Sequence, residues 1–204
     1  MSLVHVSAFT ERDDMTEPYW EPLAAAASPK ITTGLLSAGP PVSPADGDIW
    51  IATNVDSGSR WQFQYDIGDA GAFKWKFIGG PPMLGASAGG VSNGGTLNTW
   101  LNIVATTLTI PRAGDYRVFG SCVASCPTIG TAYAGIYVGA VTNVAMYGNA
   151  GFTAAGGYTV QIISPTWRLN SLGAGQVCGL SGQGTVASIT WQLIGWELLP
   201  IRVA

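Results

Sequence analysis

Charge is what this sequence has least of. Asp, Glu, Lys and Arg make up 10% of its 204 residues, against roughly a quarter of an average globular chain. In residues 85–204 the only charged side chains are Arg112, Asp115, Arg117, Arg168, Glu197 and Arg202. Charged surfaces keep domains apart in solution. The shortage of charge in residues 85–204 therefore predicts that much of this half is buried between identical subunits. A neutral surface rich in Ser, Thr and Gly is the alternative.

The scarcity of basic residues argues against a nucleic-acid partner. Nine Lys and Arg against twelve Asp and Glu give a net charge of −3, and no basic run occurs. The chain also lacks an apolar stretch of the ~20 residues that span a bilayer. The short apolar stretch 23–27 follows the acidic stretch 11–21, unlike the basic start of a signal peptide. We therefore expect no membrane insertion, and synthesis in the cytoplasm of the producing cell.

Histidine and cysteine are nearly absent, which removes most catalytic and metal chemistry. The single His5 is remote in sequence from every nucleophile, so no Ser-His-Asp or Cys-His arrangement is available. Three cysteines exclude a complete disulfide framework. Cys122 and Cys126 are too far apart on an extended strand to be bridged. We interpret the cysteines as small apolar core residues, and we predict no catalytic site, metal or cofactor.

Acidic pairs and glycine runs have ordinary structural interpretations. Asp46 and Asp48 precede a predicted strand, and Asp66 and Asp69 lie at a turn, so we interpret all four as turn formers. The glycines of residues 89–95 do not join a strand to a helix, so they do not form a phosphate-binding loop. The sequence therefore predicts a protein that is not an enzyme.

Strict alternation is the strongest signal that is present, and it lies in residues 42–82. One stretch, 48–53, carries Trp50 opposite two isoleucines. The next two stretches carry aromatic residues at every second position, namely Trp61, Phe63 and Tyr65, then Phe73, Trp75 and Phe77. Period two predicts half-buried strands, and the intervening turns predict a three-strand meander with one aromatic face. So small a unit needs that face covered. The face is either a packing face or a platform for a sugar ring or a partner protein.

Composition divides the chain into four parts. We predict an extended docking arm and lead-in over residues 1–41, the meander over 42–82, a Gly-rich linker over 83–99 and a β domain over 100–204. The arm contains the candidate docking residues Pro18, Tyr19, Trp20 and Pro22. Each proline disfavours helix at the residue before it, so an extended segment is expected there.

The last part predicts an all-β fold. Short runs rich in Val, Ile, Thr and aromatic residues recur between turns and predict strands at 103–110, 116–125, 132–138, 142–147, 158–164, 176–181 and 188–198. Along 116–125, one face would carry Tyr116, Val118, Gly120, Cys122 and Ala124. This spacing is typical of a sandwich or barrel, and no amphipathic helix is predicted.

Two resemblances extend this interpretation. The phrases DGDIWI, W-x-F-x-Y and KW-x-FIGGPP in residues 42–82 resemble a module of minor tail proteins from long-tailed bacteriophages, especially those of actinobacterial hosts. That resemblance implies a virion component in which the module joins an anchor to a distal domain. The strand ending TLTIP, the following RAGDYRV and the terminal SITWQLIGWELLP resemble the tumour-necrosis-factor/C1q-like jelly roll. This second resemblance implies a homotrimer packed about a threefold axis.

These features together predict a minor tail protein of the tail-tip or fibre type. Its arm would contact other virion proteins, and its trimeric sandwich would contact a host cell-surface glycan or protein. The contacts would come from exposed loops such as residues 125–133 or 148–158. The alternative is a head-decoration or capsid-fibre protein with a purely architectural role. A cell-encoded carbohydrate-binding module would not need the arm.

Overall fold

The computed structural model describes residues 28–55, 58–87, 90–103, 107–126, 128–141, 144–152, 158–163 and 167–204. The predicted docking residues Pro18, Tyr19, Trp20 and Pro22 lie outside the described residues, as does His5. The described part of the chain is all-β, and its one helical element is a 3₁₀ turn, Leu36–Ala38. No helix within it is long and apolar enough to cross a membrane.

The strands fall into two groups along the chain. The N-terminal group is β1 (Ile31–Leu35), β2 (Ile49–Thr53), β3 (Arg60–Tyr65) and β4 (Trp75–Gly79). The second group begins with β5 (Met83–Ser87), β6 (Val91–Ser92), β7 (Leu101–Asn102), β8 (Leu108–Thr109), β9 (Gly114–Cys126) and β10 (Gly130–Val138). It ends with β11 (Val144–Phe152), β12 (Tyr158–Ile163), β13 (Trp167–Leu172), β14 (Val177–Gly184) and β15 (Thr190–Val203).

The predicted meander is confirmed as the antiparallel strands β2, β3 and β4. Trp50 pairs with Phe63 across β2 and β3, and Phe63 pairs with Phe77 across β3 and β4. A fourth strand, β1, lies parallel to β2 at the edge. The carboxylate of Asp48 accepts hydrogen bonds from the amides of Lys30 (2.8 Å) and Ala45 (3.0 Å), which fixes the chain before β2.

The remaining strands form a jelly-roll-like β-sandwich, as the sequence predicted. Strand β15 pairs with β9 along its length, while β5 and β6 lie on the other side of β15 and β12 and β13 on the other side of β9. The second sheet has the order β11–β10–β14, with β7 and β8 both paired to β14. When β5/β6, β7/β8 and β12/β13 are each counted as one interrupted strand, the sheets have the orders 1-8-3-6 and 2-7-4-5, which is a jelly-roll topology.

The prediction of a linker over residues 83–99 is wrong for much of that segment. Strands β5 and β6 lie within it and pair with β15, so the sandwich begins before residue 100. Glycine content suggested flexibility, but Gly85 is needed for close packing. A Cβ at that position would collide with the indole ring of Trp196. The meander is also joined to the sandwich, because β4 pairs with the C-terminal end of β15.

Some strand predictions need correction at their ends. The predicted strand 116–125 is longer at both ends, because β9 runs from Gly114 to Cys126. Strand β13 was not predicted, although Trp167 and Leu169 are buried on either side of exposed Arg168. Of the predicted strand 103–110, the described part contains only β8, while β7 ends before residue 103 and residues 104–106 lie outside the described part. The candidate loops are shorter than expected, because β9 and β10 leave only residues 127–129 between them, and β11 extends to Phe152.

The core lies between the two sheets of the sandwich. The predicted inward face of β9 is confirmed, since Tyr116, Val118, Cys122 and Ala124 are all 2% exposed or less. The side chain of Leu180 on β14 packs against Gly120 of β9. The three cysteines are buried and unbridged. Burial raises the pKa of the Cys122 and Cys178 thiols to about 12, so both are neutral core residues, as their sequence context indicated.

Candidate functional site

The aromatic face of the meander is part of the core. Trp61, Phe63 and Trp75 are at most 4% exposed, and Tyr65 and Phe77 pack against them half-buried. Phe63 and Phe77 meet edge to face with centroids 5.9 Å apart. These contacts favour the packing interpretation over an open platform.

The packing face differs from the prediction at two aromatic residues. Trp50 is fully buried and stacks on Phe63 with centroids 5.4 Å apart, so it belongs to this face although it was not assigned there. Phe73 lies before the start of β4 and lines a cleft with Asp115 and Arg168 instead. The alternation of the third stretch therefore holds only from Trp75 onward.

An ion-pair network joins the meander to the sandwich. Arg202 on β15 donates from Nη1 to Asp69 Oδ1 (2.6 Å) and from Nε to Asp115 Oδ2 (2.8 Å). Arg168 Nη2 donates to the same Asp115 oxygen at 2.9 Å. At the other end, Lys76 Nζ lies 2.5 Å from Asp66 Oδ2 and 3.3 Å from Asp69 Oδ2. We name these six residues the joint network.

Hydrogen bonds and nearby charges shift the pKa values of five residues of the joint network towards their charged forms, namely Asp66, Asp69, Lys76, Asp115 and Arg202. Burial acts to raise the Asp115 pKa, but hydrogen bonds from the Ser171 amide, Arg202 and Arg168 together hold it below its usual value. The hydrogen bond from the Gly71 amide is the main cause that lowers the Asp69 pKa. Asp69 is thus a turn former, as predicted, and also an ion-pair partner of Arg202.

The joint network borders an open cleft of about 380 Å³, which is lined by Phe73, Asp115, Arg168 and Arg202 among others. Three carboxylates and three cations share short contacts within the network, so their charges balance. This arrangement stabilises the contact between two parts of the sheet and leaves no excess charge for a ligand. Among the described residues, no group of three or more His, Cys, Asp or Glu could hold a metal ion.

The strongest candidate functional surface is the outer face of the sheet that contains β5, β15 and β9. Leu84 on β5 is 60% exposed and Phe119 on β9 is 38% exposed. Between them lies a hollow of about 250 Å³ lined also by Ser121, Gly195 and Glu197. Exposed apolar side chains gathered around one hollow are typical of an interaction site. We name this region the assembly face.

Two opposite charges lie on the assembly face. Arg117 and Glu197 line a second hollow of about 170 Å³ together with Phe119 and Leu199. Strand register places Leu199 opposite Arg117, and Phe119 opposite Glu197, so the two charges are diagonal neighbours. Neither makes an ion pair or a side-chain hydrogen bond with another described residue. The sequence signal for this surface was the shortage of charge after residue 85, but only the strand register locates it.

Comparison with known proteins identifies no family. No family model matches the sequence, and no curated protein matches it. Among solved structures, the chain is similar to the isomalto-dextranase of Arthrobacter globiformis T6 complexed with panose. The identity is 13% over 75% of this chain and 24% of that chain, with a TM-score of 0.30.

Two viral structures are also similar. One is infectious bursal disease virus, Gx strain, with 12% identity over 72% of this chain and 46% of that chain, and a TM-score of 0.35. The other is the T=1 particles derived from infectious bursal virus, with 13% identity over 83% of this chain and 50% of that chain, and a TM-score of 0.26. The chain therefore spans half or less of each of these proteins. At such low TM-scores, no function is transferred.

Proposed function

We propose that this chain is a bacteriophage virion protein of the minor tail or fibre type. Its copies assemble as a homotrimer and display the β-sandwich for attachment to a host surface. The observation that carries the assembly is the outer face, where exposed Leu84 and Phe119 lie beside Arg117 and Glu197, which form no ion pair with another described residue. The link to a phage particle rests on the resemblance of residues 42–82, and the proposal assigns no reaction to the chain.

A second copy of the chain is the occupant that the assembly face fits best. Its apolar residues would be removed from water on association, and burial of apolar area drives most protein association. Its two charges have opposite signs, so Arg117 of one copy can meet Glu197 of the next. When such a patch lies beside a threefold axis, Arg117 of each copy meets Glu197 of the next, and the contact closes into a ring. Complementary charges would set the register of that contact.

The other parts of the chain have roles that follow from the trimer. Residues 1–41 would dock on other virion proteins, and the meander would connect this anchor to the sandwich through β4 and the joint network. The sandwich would meet a glycan or protein on the host cell. The protein would be made in the host cytoplasm and would end in the virion. An image of labelled particles that places it on the capsid would instead support the head-decoration alternative.

Self-association provides the first test. Purified protein should sediment as three copies at micromolar concentration. Arg117→Glu and Glu197→Arg should each weaken the association by about 10-fold, because each places two like charges together. The double variant should regain most of the loss, because it restores opposite signs. Analytical ultracentrifugation over a dilution series gives these constants.

Arg60→Glu is the matched control, since exposed Arg60 on β3 undergoes the same charge reversal outside the assembly face. This variant should associate like the parent chain. A monomer at every concentration would reject the trimer. Failure of the double variant to recover would reject the Arg117–Glu197 contact while leaving trimerisation to be judged from the parent chain.

Attachment is tested separately with phage particles. Saturating amounts of the purified trimer should reduce adsorption of the parent phage to its host, because the free protein occupies the same surface receptors. Adsorption is measured as the unbound infectious titre. Bovine serum albumin at equal mass serves as the control. Unchanged adsorption at saturation would reject host attachment and favour the architectural alternative.

A further inference from the structure

A cleft lies on the sandwich away from the assembly face. It occupies about 300 Å³ and is lined by Asn98, Trp100, Tyr133, Gln183 and Thr185. This volume is at the lower end of the range for small-molecule sites. Tyr133 is on β10 and Gln183 on β14, in the sheet opposite the one that carries Phe119. A trimer built through the assembly face would therefore leave this cleft accessible.

Two aromatic rings form one part of the cleft. Trp100 and Tyr133 have centroids 6.5 Å apart and planes inclined by 66°. Both side chains are half-buried, so each ring is supported by protein and retains exposed area. Their half-exposed rings offer apolar surface on which the apolar C–H face of another ring can pack.

Polar groups without formal charge form the rest of the cleft. Tyr133 and Gln183 are directly opposite on paired strands, which fixes the amide beside the phenol ring. The backbone amide of Asn98 donates to the carbonyl of Gly184 (2.8 Å), which holds Asn98 against β14. The hydroxyl of Thr185 accepts a hydrogen bond from the Thr131 amide at 2.8 Å. The two side-chain amides have both donor and acceptor capacity for a ligand.

The lining determines the class of ligand. None of the described residues that line the cleft is charged, whereas sites for carboxylates and phosphates normally use Arg or Lys. The ligand should therefore be neutral. It should also combine an apolar ring face with several hydroxyl groups, because the cleft pairs aromatic faces with amides. We propose that this cleft binds one neutral pyranose unit of a cell-surface glycan. This inference rests on the attachment role proposed above and names its ligand class.

Binding of one sugar unit to one cleft is weak, and the trimer compensates by presenting three clefts. Three copies on one particle convert later binding events into intramolecular ones, which raises avidity without new contacts. The same consideration means that the isolated cleft should be tested with free sugars at high concentration.

Saturation-transfer NMR on the purified full-length protein tests the cleft. The probes are the methyl pyranosides of glucose, galactose, mannose, rhamnose and N-acetylglucosamine, with glucuronic acid and glucosamine as charged comparisons. At least one neutral glycoside should receive saturation, and the charged sugars should receive less. Trp100→Ala and Tyr133→Ala should each weaken binding of that glycoside by about 10-fold, since each removes one stacking surface.

Matched variants separate binding from folding. Leu97→Ala removes a nearby side chain that is 47% exposed and does not line the cleft, so it should bind like the parent. Trp100→Phe keeps a ring and should lose less affinity than Trp100→Ala. Absence of transfer to every neutral glycoside would overturn the proposal. So would a Trp100→Ala variant that binds as well as the parent.

The sugar test and the adsorption test fail independently. If no neutral sugar binds while the trimer still blocks adsorption, the cleft assignment is wrong and the attachment role stands. If a neutral sugar binds through Trp100 while adsorption is unchanged, the cleft assignment stands and the attachment role is wrong.

Discussion

Replacing Trp50 by alanine should lower the free energy of unfolding by about 4 kcal/mol, as for other large aromatic deletions in cores. Trp50 has no exposed surface. It stacks on Phe63 with centroids 5.4 Å apart and meets Trp75 edge to face at 6.0 Å. The substitution removes both ring contacts and leaves a cavity that strands on both sides cannot fill. Urea denaturation followed by far-ultraviolet circular dichroism measures the loss.

Ile78→Ala is the matched control for Trp50→Ala. Ile78 lies on β4 of the same meander, but it is 48% exposed, so its removal should change stability by about 0.5 kcal/mol or less. A loss below about 1 kcal/mol for Trp50→Ala would show that the aromatic face is not a packed core.

The same denaturation curves test whether the meander folds with the sandwich. Strand β4 pairs with β15 at Arg202 and Val203, so one sheet runs through both parts. We expect a single transition for the parent chain and for Trp50→Ala. A separate early transition in the variant would show that the meander unfolds by itself.

Local periodicity is the part of this fold that the sequence predicted well. Alternating side chains in residues 49–53, 60–65 and 116–125 specify which face is buried without any knowledge of the partner strand. The prediction failed where the same residue type fits two different structural roles. Gly85 was interpreted as a sign of flexibility, but it provides room for Trp196. Phe73 follows the alternation in sequence, yet it precedes the strand and lines the cleft beside Asp115.

Long-range pairing explains why the candidate surfaces could not be predicted. Asp69 and Arg202 are 133 residues apart, and no local pattern links them. The assembly face combines residues from β5, β9 and β15, whose alignment depends on strand register. The cleft has the same origin, because Tyr133 and Gln183 meet only when β10 pairs with β14. The scarcity of charge was a useful sequence signal for the joint network, since three of the six charged residues after position 85 belong to it.

Replacing Asp115 by alanine should cost about 2–3 kcal/mol of unfolding free energy at neutral pH, in line with the loss of charge-assisted hydrogen bonds. The carboxylate is 8% exposed. It accepts hydrogen bonds from Arg168, Arg202 and the Ser171 amide at 2.8–2.9 Å. Its removal leaves Arg202 with one carboxylate partner in place of two. Asp115→Asn keeps the shape and an acceptor for Ser171, so it should lose less.

The pH dependence of stability distinguishes charge from shape at Asp115. Its pKa is lower in the folded protein than in the unfolded chain, so the folded state binds fewer protons there. The stabilisation is therefore complete above the ordinary carboxyl pKa of about 4. It is lost as pH falls through the lower, folded pKa.

Urea denaturation is measured at neutral pH and at a pH below the ordinary carboxyl pKa. The free energy of unfolding should fall less between these two conditions for Asp115→Ala and Asp115→Asn than for the parent chain. Some acid loss should remain in both variants, because the pKa values of Asp66 and Asp69 are lowered as well. If the free energy of unfolding varied with pH in parallel for all three proteins, Asp115 would stabilise the joint network through shape alone. A steeper acid loss in the variants would contradict the lowered pKa itself, because removal of a group that is charged in the folded state can only reduce the uptake of protons on unfolding.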